Sequence, residues 1–248
     1  MRILALDSSG LVASVAVVVS DNGAADAQTV AEYTVNFKKT HSQTLLPMLD
    51  EVAKMIELDL HAVDAIAVAA GPGSFTGLRI GSATAKGLGL ALHKPLIHIP
   101  TLEGLAYNLC GTAGMICPIM DARRGQVYTG IYRIDSDCTL EVVEDQMAVD
   151  IEELGRRLCG YEERITFLGD GVPVFREALV ERIMAGRDIG FAPANMNRQR
   201  AASVGALALQ YYKAGRTETA AEHRPDYLRV SQAERERKER LGHDQISM

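Results

Sequence analysis

The chain has 248 residues, a formal net charge of −6 and 47% hydrophobic residues. That length allows one large domain or two lobes, with ample apolar material for a core. The acidic balance argues against a general polyanion binder, although a local basic patch stays compatible with it.

Residues 2–6 form an apolar, strand-like run that ends in the turn Asp7-Ser8-Ser9-Gly10. Residues 11–20, rich in valine, predict a second strand. Asp21-Asn22-Gly23 reads as a turn, and the alternation in 30–37 as a third strand. An Asp-Ser-Ser turn between a first strand and a hairpin can offer N–H and hydroxyl groups to a phosphate, with a carboxylate beside them for a metal-bound water. It can equally be a turn that Asp7 and Ser8 cap for themselves.

Residues 41–56 (HSQTLLPMLDEVAKMI) predict an amphipathic helix, with Leu45, Leu49, Val52 and Ile56 at helical spacing. Its regular part is expected to begin near Pro47, because proline fits poorly inside a helix. Residues 64–70 read as a buried strand, broken by Gly71-Pro72-Gly73. Ser74 is an N-cap for a long helix reaching residue 92.

In that helix Gly77, Gly81, Ala85 and Gly89 recur every four residues along one ridge. Each glycine costs about 1 kcal/mol against alanine, and what offsets it is close approach of another backbone. Three readings compete. The ridge packs under the chain's own sheet, holds a phosphate at the helix N-terminus, or faces another helix of this chain or a partner. The spacing fits neither common phosphate loop. Gly77 is followed by Leu78-Arg79 rather than a Lys-Ser/Thr pair, and the third glycine comes one residue late for GxGxxG.

Residues 96–99 predict a short strand, and a helix runs from Thr101 to about Cys110. The order then restarts. Residues 115–120 predict a strand, Asp121-Ala122-Arg123-Arg124-Gly125 an acid-headed turn, and 126–134 and 140–149 two further strands. A helix over 150–159 capped by Asp150, a strand over 164–168 ending in Gly169-Asp170-Gly171, a helix over 172–184, a strand over 189–192 and a helix over 201–212 complete the pattern. Two halves with the same element order and no sequence repeat imply two related α/β lobes. The boundaries are expected at 1–100 and 101–215, with a tail at 216–248. Within the tail, SQAERERKERL reads as a solvated or frayed helix, or an arm that orders on a partner.

Cys110, Cys117, Cys138 and Cys159 show no CxxC pairing and read as reduced, mostly buried thiols of a cytosolic protein. No apolar run approaches the ~20 residues of a membrane span, and the apolar start, interrupted at Asp7, is too short for a signal peptide. The expected location is the cytoplasm, with no membrane contact. There is no HExxH pair among the six histidines and no GxSxG elbow.

Four stretches resemble the TsaB (YeaZ) family of tRNA threonylcarbamoyladenosine biosynthesis: ILALDSS at the start, GPGSFTGLRIG before and into the glycine helix, DARRGQVY at the second acid-headed turn, and PDYLR in the tail. The resemblance spans essentially the whole chain, and GPGSFTGLRIG is its most specific part. It implies the two-lobed actin-like ATPase (ASKHA) fold of the sugar kinase and Hsp70 superfamily. It also implies a non-catalytic subunit that binds and activates TsaD, which transfers threonylcarbamoyl to the adenosine beside the anticodon of tRNAs reading codons that begin with A. A TsaE-like ATPase joins that assembly, the chain pairs with itself when alone, and tRNA is met only through the complex.

TsaD-like chains hold a metal through two histidines in a helix reading roughly His-Leu-Glu-Gly-His. The matching stretch here is Thr101-Leu102-Glu103-Gly104-Leu105, in which neither end is a competent ligand. No cofactor is therefore expected for this chain itself, with a nucleotide admissible at the cleft or at the complex interface. The implied partner surface comprises Phe75, Thr76, Gly77, Ile80, Gly81, Thr84, Ala85 and Gly89, with Leu45 and Leu49 beside them. Asp7, Ser8 and Ser9 are the candidate nucleotide-binding residues. The alternatives are an autonomous ATPase or kinase, with Gly169-Asp170-Gly171 as a weak second phosphate loop, or direct tRNA binding through Arg123, Arg124, Arg198 and Arg200.

Overall fold

The computed structural model describes residues 1–21, 26–37 and 40–228. The tail helix expected at 231–241, and Asn22 and Gly23 of the first turn, lie outside the described residues. Strand β1 (Arg2–Asp7) is buried from its second residue onward, as a central strand covered on both faces requires. It pairs antiparallel with β2 (Val12–Val19), which pairs antiparallel with β3 (Gln28–Asn36). On its other side it pairs parallel with β4 (Ala65–Gly71), and β4 with β5 (Leu96–Pro100).

The second sheet repeats this plan with β6 (Met115–Asp121), β7 (Gln126–Ile134), β8 (Leu140–Asp150), β9 (Ile165–Leu168) and β10 (Ile189–Phe191). The orders are β3-β2-β1-β4-β5 and β8-β7-β6-β9-β10. Each lobe thus sets its first strand centrally, with a hairpin on one side and a parallel pair on the other. The element order legible in the sequence holds throughout.

Helices α1 (His41–Met55) and α2 (Phe75–Leu92) cover one face of the first sheet, where Leu45, Met48, Leu49, Val52 and Ala85 pack on Leu4, Leu6, Val15 and Val68. Helix α1 starts at His41 and carries Pro47 inside it, contrary to the expected start near Pro47. Pro47 and Gln43 are both exposed, so the carbonyl that loses its partner can meet water while the buried side of the helix holds it in place.

Helix α3 (Thr101–Ala106) lies at the junction, against β4 and β5 of one sheet and β6 and β7 of the other. Helices α4 (Ile151–Leu158) and α5 (Val172–Ala178) cover the second sheet, with Leu154, Leu158 and Phe175 on Ile119, Ile131 and Phe167.

The last helix, α6 (Ala201–Lys213), corrects the expected domain boundary. It packs on β1, β2 and β3 of the first sheet rather than completing the second lobe. A Cβ on Gly205 would stand 2.7 Å from Val18 Cγ2 and 3.1 Å from Ala5 Cβ, so the helix seats directly on the strands. The Ser14 hydroxyl accepts from Ala201 N at 2.9 Å, and Glu32 pairs with Arg200 and accepts from Ala202 N, fixing the start of α6 to the first hairpin. Beyond α6, residues 217–228 return along β5, so most of the described tail also belongs to the first lobe.

The thiol expectation is corrected as well. Cys110 and Cys138 are disulfide-bonded, with their Cα atoms 5.7 Å apart, while Cys117 (buried) and Cys159 (exposed) are free. Spacing in sequence carries no trace of this pairing, because the loop between β7 and β8 is brought to the end of α3 only by the packing of the lobes.

Candidate partner surface and inter-lobe cleft

The glycine ridge of α2 is turned inward. A Cβ on Gly77 would lie 2.0 Å from the Ser8 carbonyl oxygen, one on Gly81 2.5 Å from Ser8 Oγ, and one on Gly89 2.9 Å from Leu96 Cδ2. Ala85 is fully buried. The ridge is therefore internal packing, the first of the three readings, and it corrects the assignment of Gly77, Gly81, Ala85 and Gly89 to a partner surface. The same holds for Leu45 and Leu49, which are 1% and 6% exposed within the core of the first lobe. Ser8 explains the requirement: its hydroxyl donates to the Gly77 carbonyl at 2.9 Å, which needs the β1 turn pressed against the helix backbone.

The outer face of α2 carries Thr76, Arg79, Ala83, Gly87, Leu90 and Ala91, all exposed, with Phe75, Ile80 and Thr84 half-buried along its margin. Leu90 is 63% exposed, and a Cβ on Gly87 would meet none of the described residues within 4 Å. On neighbouring α1, Leu46 and Met55 are 53% and 75% exposed. Phe75 is covered in part by Arg79, whose guanidinium lies 3.9 Å from the ring centroid, and by Tyr227, whose ring centroid is 4.9 Å away.

Between the lobes lies a cavity of about 440 Å³. The first lobe lines it with Ser9, Gly10, Gly73 and Ser74, and the second with Asp121, Ala122, Arg123, Tyr128 and Asp170. Of the candidate nucleotide residues only Ser9 reaches the cavity wall. Asp7 and Ser8 lie behind it, 2% and 1% exposed. Asp7 Oδ1 accepts from Ser9 N at 2.8 Å and from Ser9 Oγ at 2.7 Å, and the Ser8 hydroxyl is spent on Gly77. These are the bonds of a self-capped turn. Burial raises the Asp7 pKa to about 6, with the two Ser9 hydrogen bonds opposing it.

In the second lobe Asp121 Oδ1 accepts from Arg123 N at 2.8 Å, and Asp170 Oδ1 accepts from Asp121 N at 3.1 Å. Burial raises the Asp170 pKa. Of the basic residues considered for tRNA, Arg198 donates to the Gly169 and Asn197 carbonyls and Arg200 is engaged by Glu32. Arg123 and Arg124 are exposed on the turn, and Arg123 lies 3.3 Å from Asp121.

The segment around Tyr227 was missed as part of this region. Asp226 N donates to the Ala70 carbonyl at 2.7 Å, and Asp226, Tyr227 and Leu228 line the cavity mouth. PDYLR was visible as a motif, but no local signal says that it crosses the cleft.

At the junction, the Thr101 hydroxyl accepts from Gly71 N at 3.0 Å and Leu105 is 1% exposed. Both positions are structural, and neither offers a metal a good ligand.

Two α/β lobes with a repeated sheet order, closed on a cleft between two acid-headed turns, define an actin-like ATPase fold. A family model described as TsaD: tRNA N6-adenosine threonylcarbamoyltransferase matches residues 29–237. The tRNA threonylcarbamoyladenosine biosynthesis protein TsaB of Bacillus subtilis is 33% identical over 94% of this chain and 96% of its own length. That of Escherichia coli is 28% identical over 92% and 95%. The solved structure of YeaZ from Pseudomonas aeruginosa superposes with a TM-score of 0.76 at 26% identity, covering 92% of this chain and 99% of that one. The chain belongs to the TsaB family, itself within the broader family of the TsaD model. Among the described residues no helix is long and apolar enough to cross a membrane.

Proposed function

We propose that this protein is a non-catalytic subunit that binds and activates a TsaD-like enzyme for threonylcarbamoyl transfer to the adenosine beside the anticodon of tRNAs reading A-starting codons. The observation that carries the reading is a full-length match to TsaB relatives combined with Thr101 and Leu105, both committed to the core, where the catalytic relatives would place histidines. The chain needs no cofactor of its own for this role. A nucleotide, where one is used, occupies the inter-lobe cleft or the junction with the enzyme. tRNA is reached through the complex, with a TsaE-like ATPase as a further member, in the cytoplasm.

The docking surface is the exposed face of α2 with the neighbouring apolar residues of α1. Ala83 and Gly87 let a partner helix approach closely, and Leu46, Met55 and Leu90 supply apolar area. Alone, the chain covers the same face with a second copy. Light scattering of the chain alone and mixed with the TsaD-like subunit of the same cell tests this. The expected result is a homodimer that gives way to a one-to-one heterodimer, with both lost in Gly87→Arg. A monomer that binds nothing, yet turns over ATP unaided, would overturn the proposal in favour of an autonomous ATPase.

A further inference from the structure

The returning segment carries a cluster that the partner surface does not use. Leu96 N donates to the Glu218 carbonyl at 2.9 Å and Glu218 N to the Leu96 carbonyl at 3.0 Å, an antiparallel bridge on the free edge of β5. It sets Glu218 beside His98 of β5. A turn over Thr219–Glu222, closed by His223 N donating to the Thr219 carbonyl at 3.1 Å, then brings His223 back to the same place.

Glu218 Oε1 lies 2.6 Å from His223 Nδ1 and 3.8 Å from His98 Nδ1. One donor atom from each of the three residues lies within 4.8 Å of the others. On the far side of His98, Nε2 is 3.1 Å from Asp226 Oδ2.

The chemistry of this arrangement is that of a metal site. A neutral His98 that donates Nε2–H to Asp226 keeps its lone pair on Nδ1, the atom facing Glu218. A carboxylate behind a ligating imidazole is how zinc sites fix the tautomer of their histidines. Two imidazoles and a carboxylate are an established zinc donor set that leaves a position open to water. Bonds of about 2.0–2.1 Å to a tetrahedral zinc set neighbouring donors about 3.3 Å apart, and the observed 2.6 and 3.8 Å bracket that spacing.

Two further observations point the same way. His223 is fully buried and, among the described residues, its Nε2 has no hydrogen-bond partner, so nothing opposes the tautomer that carries the proton there and leaves the Nδ1 lone pair toward Glu218. His98 and Glu218 are each about a quarter exposed, which leaves an entry path from solvent.

We propose that His98, Glu218 and His223 form a binding site for a zinc-class divalent cation that clamps the C-terminal segment onto β5. On binding, neutral His223 takes the tautomer that carries its proton on Nε2, which frees the Nδ1 lone pair, and the three donors close on the ion. Asp226, which holds His98, is followed by Tyr227 on Phe75 and Arg79 of α2, so the clamp sits next to both the cleft mouth and the proposed docking face.

The test is a titration of the full chain, stripped with chelator and dialysed, with Zn²⁺ by calorimetry and with Co²⁺ by visible absorption. The expected result is one ion per chain and the intense absorption of low-symmetry, nitrogen- and oxygen-ligated cobalt. His98→Ala and Glu218→Gln each weaken binding at least tenfold, Asp226→Asn weakens it about tenfold, and His61→Ala leaves it unchanged. Less than one ion per wild-type chain at micromolar concentrations overturns the proposal, as does an unchanged affinity in folded His98→Ala. Should the variants not fold, the wild-type histidine ring NMR signals decide: two of them shift on addition of Zn²⁺, and a spectrum without shifts sinks the site.

Discussion

Asp7 shows how one composition leaves two turns open until its neighbours are known. A carboxylate at the end of a central strand, followed by two serines, is the composition of a phosphate-binding turn, and also of a turn that caps itself. Burial decides, because Asp7 has both Ser9 donors on one oxygen and almost no exposure. Its pKa of about 6 stands above the ordinary 3.8. Between those values the folded chain keeps a proton that the unfolded chain has released. The stability linked to it is complete below about pH 4 and is lost as pH rises through about 6, by roughly 3 kcal/mol. Asp7→Asn keeps the acceptor oxygen and removes the titration. Urea denaturation from pH 4 to 7 should therefore show the variant gaining on the wild type by that amount, and parallel profiles would contradict the assignment. Gly81 is decided the same way: with Ser8 Oγ 2.5 Å from where its Cβ would be, Gly81→Leu overpacks this chain's own fold. A loss of about 1–3 kcal/mol in denaturant midpoint-derived stability is expected, measured on the isolated protein.

At the scale of an element, α2 has two small-residue stripes with different destinations. The inner one, Gly77-Gly81-Ala85-Gly89, meets β1 and β5, while in the outer pair Ala83 is exposed and a Cβ on Gly87 would meet none of the described residues within 4 Å. The inner stripe was legible as helical spacing, but the side facing the sheet was not, since the phase of a helix with apolar and small residues nearly all round is set by what it packs on. This separates two kinds of variant. Gly87→Arg removes a glycine from an exposed helix interior and should leave the isolated chain as stable as before or up to about 1 kcal/mol more stable, while abolishing its pairing. A destabilised Gly87→Arg chain would mean that the outer face is packed after all. Helix α6 makes the complementary point. Its start and end were read correctly, but its placement on the first sheet depends on Glu32, Ser14 and Val18, more than 160 residues earlier in the chain.

At the scale of the molecule, the two lobes are joined by covalent and non-covalent crossings that run against sequence order. The Cys110–Cys138 bond joins the end of the junction helix to the β7–β8 hairpin. In denaturant without reductant, two of the four thiols should react with a thiol reagent, and all four after reduction. Four reactive thiols without reductant would restore the reading of reduced cysteines. Loop-closure entropy for a separation of 28 residues predicts that reduction lowers stability by about 3–4 kcal/mol, seen as a fall in melting temperature. The segment after α6 crosses back in turn to β5 and the cleft mouth, and carries the proposed cation clamp with it.

The sequence alone determined the order and type of nearly every element, the two-lobed plan, the cap at Ser74, which accepts from Gly77 N, and the absence of histidine from 101 and 105. Those properties rest on local periodicity, turn chemistry and residue identity. Only the tertiary structure decided which stripe of α2 is buried, which lobe holds α6, which cysteines pair, that Asp7 lies buried behind the cleft wall, and that His98, Glu218 and His223 meet. Each of these depends on contacts between residues far apart in the chain, whose partners are chosen by packing and leave no trace in local spacing.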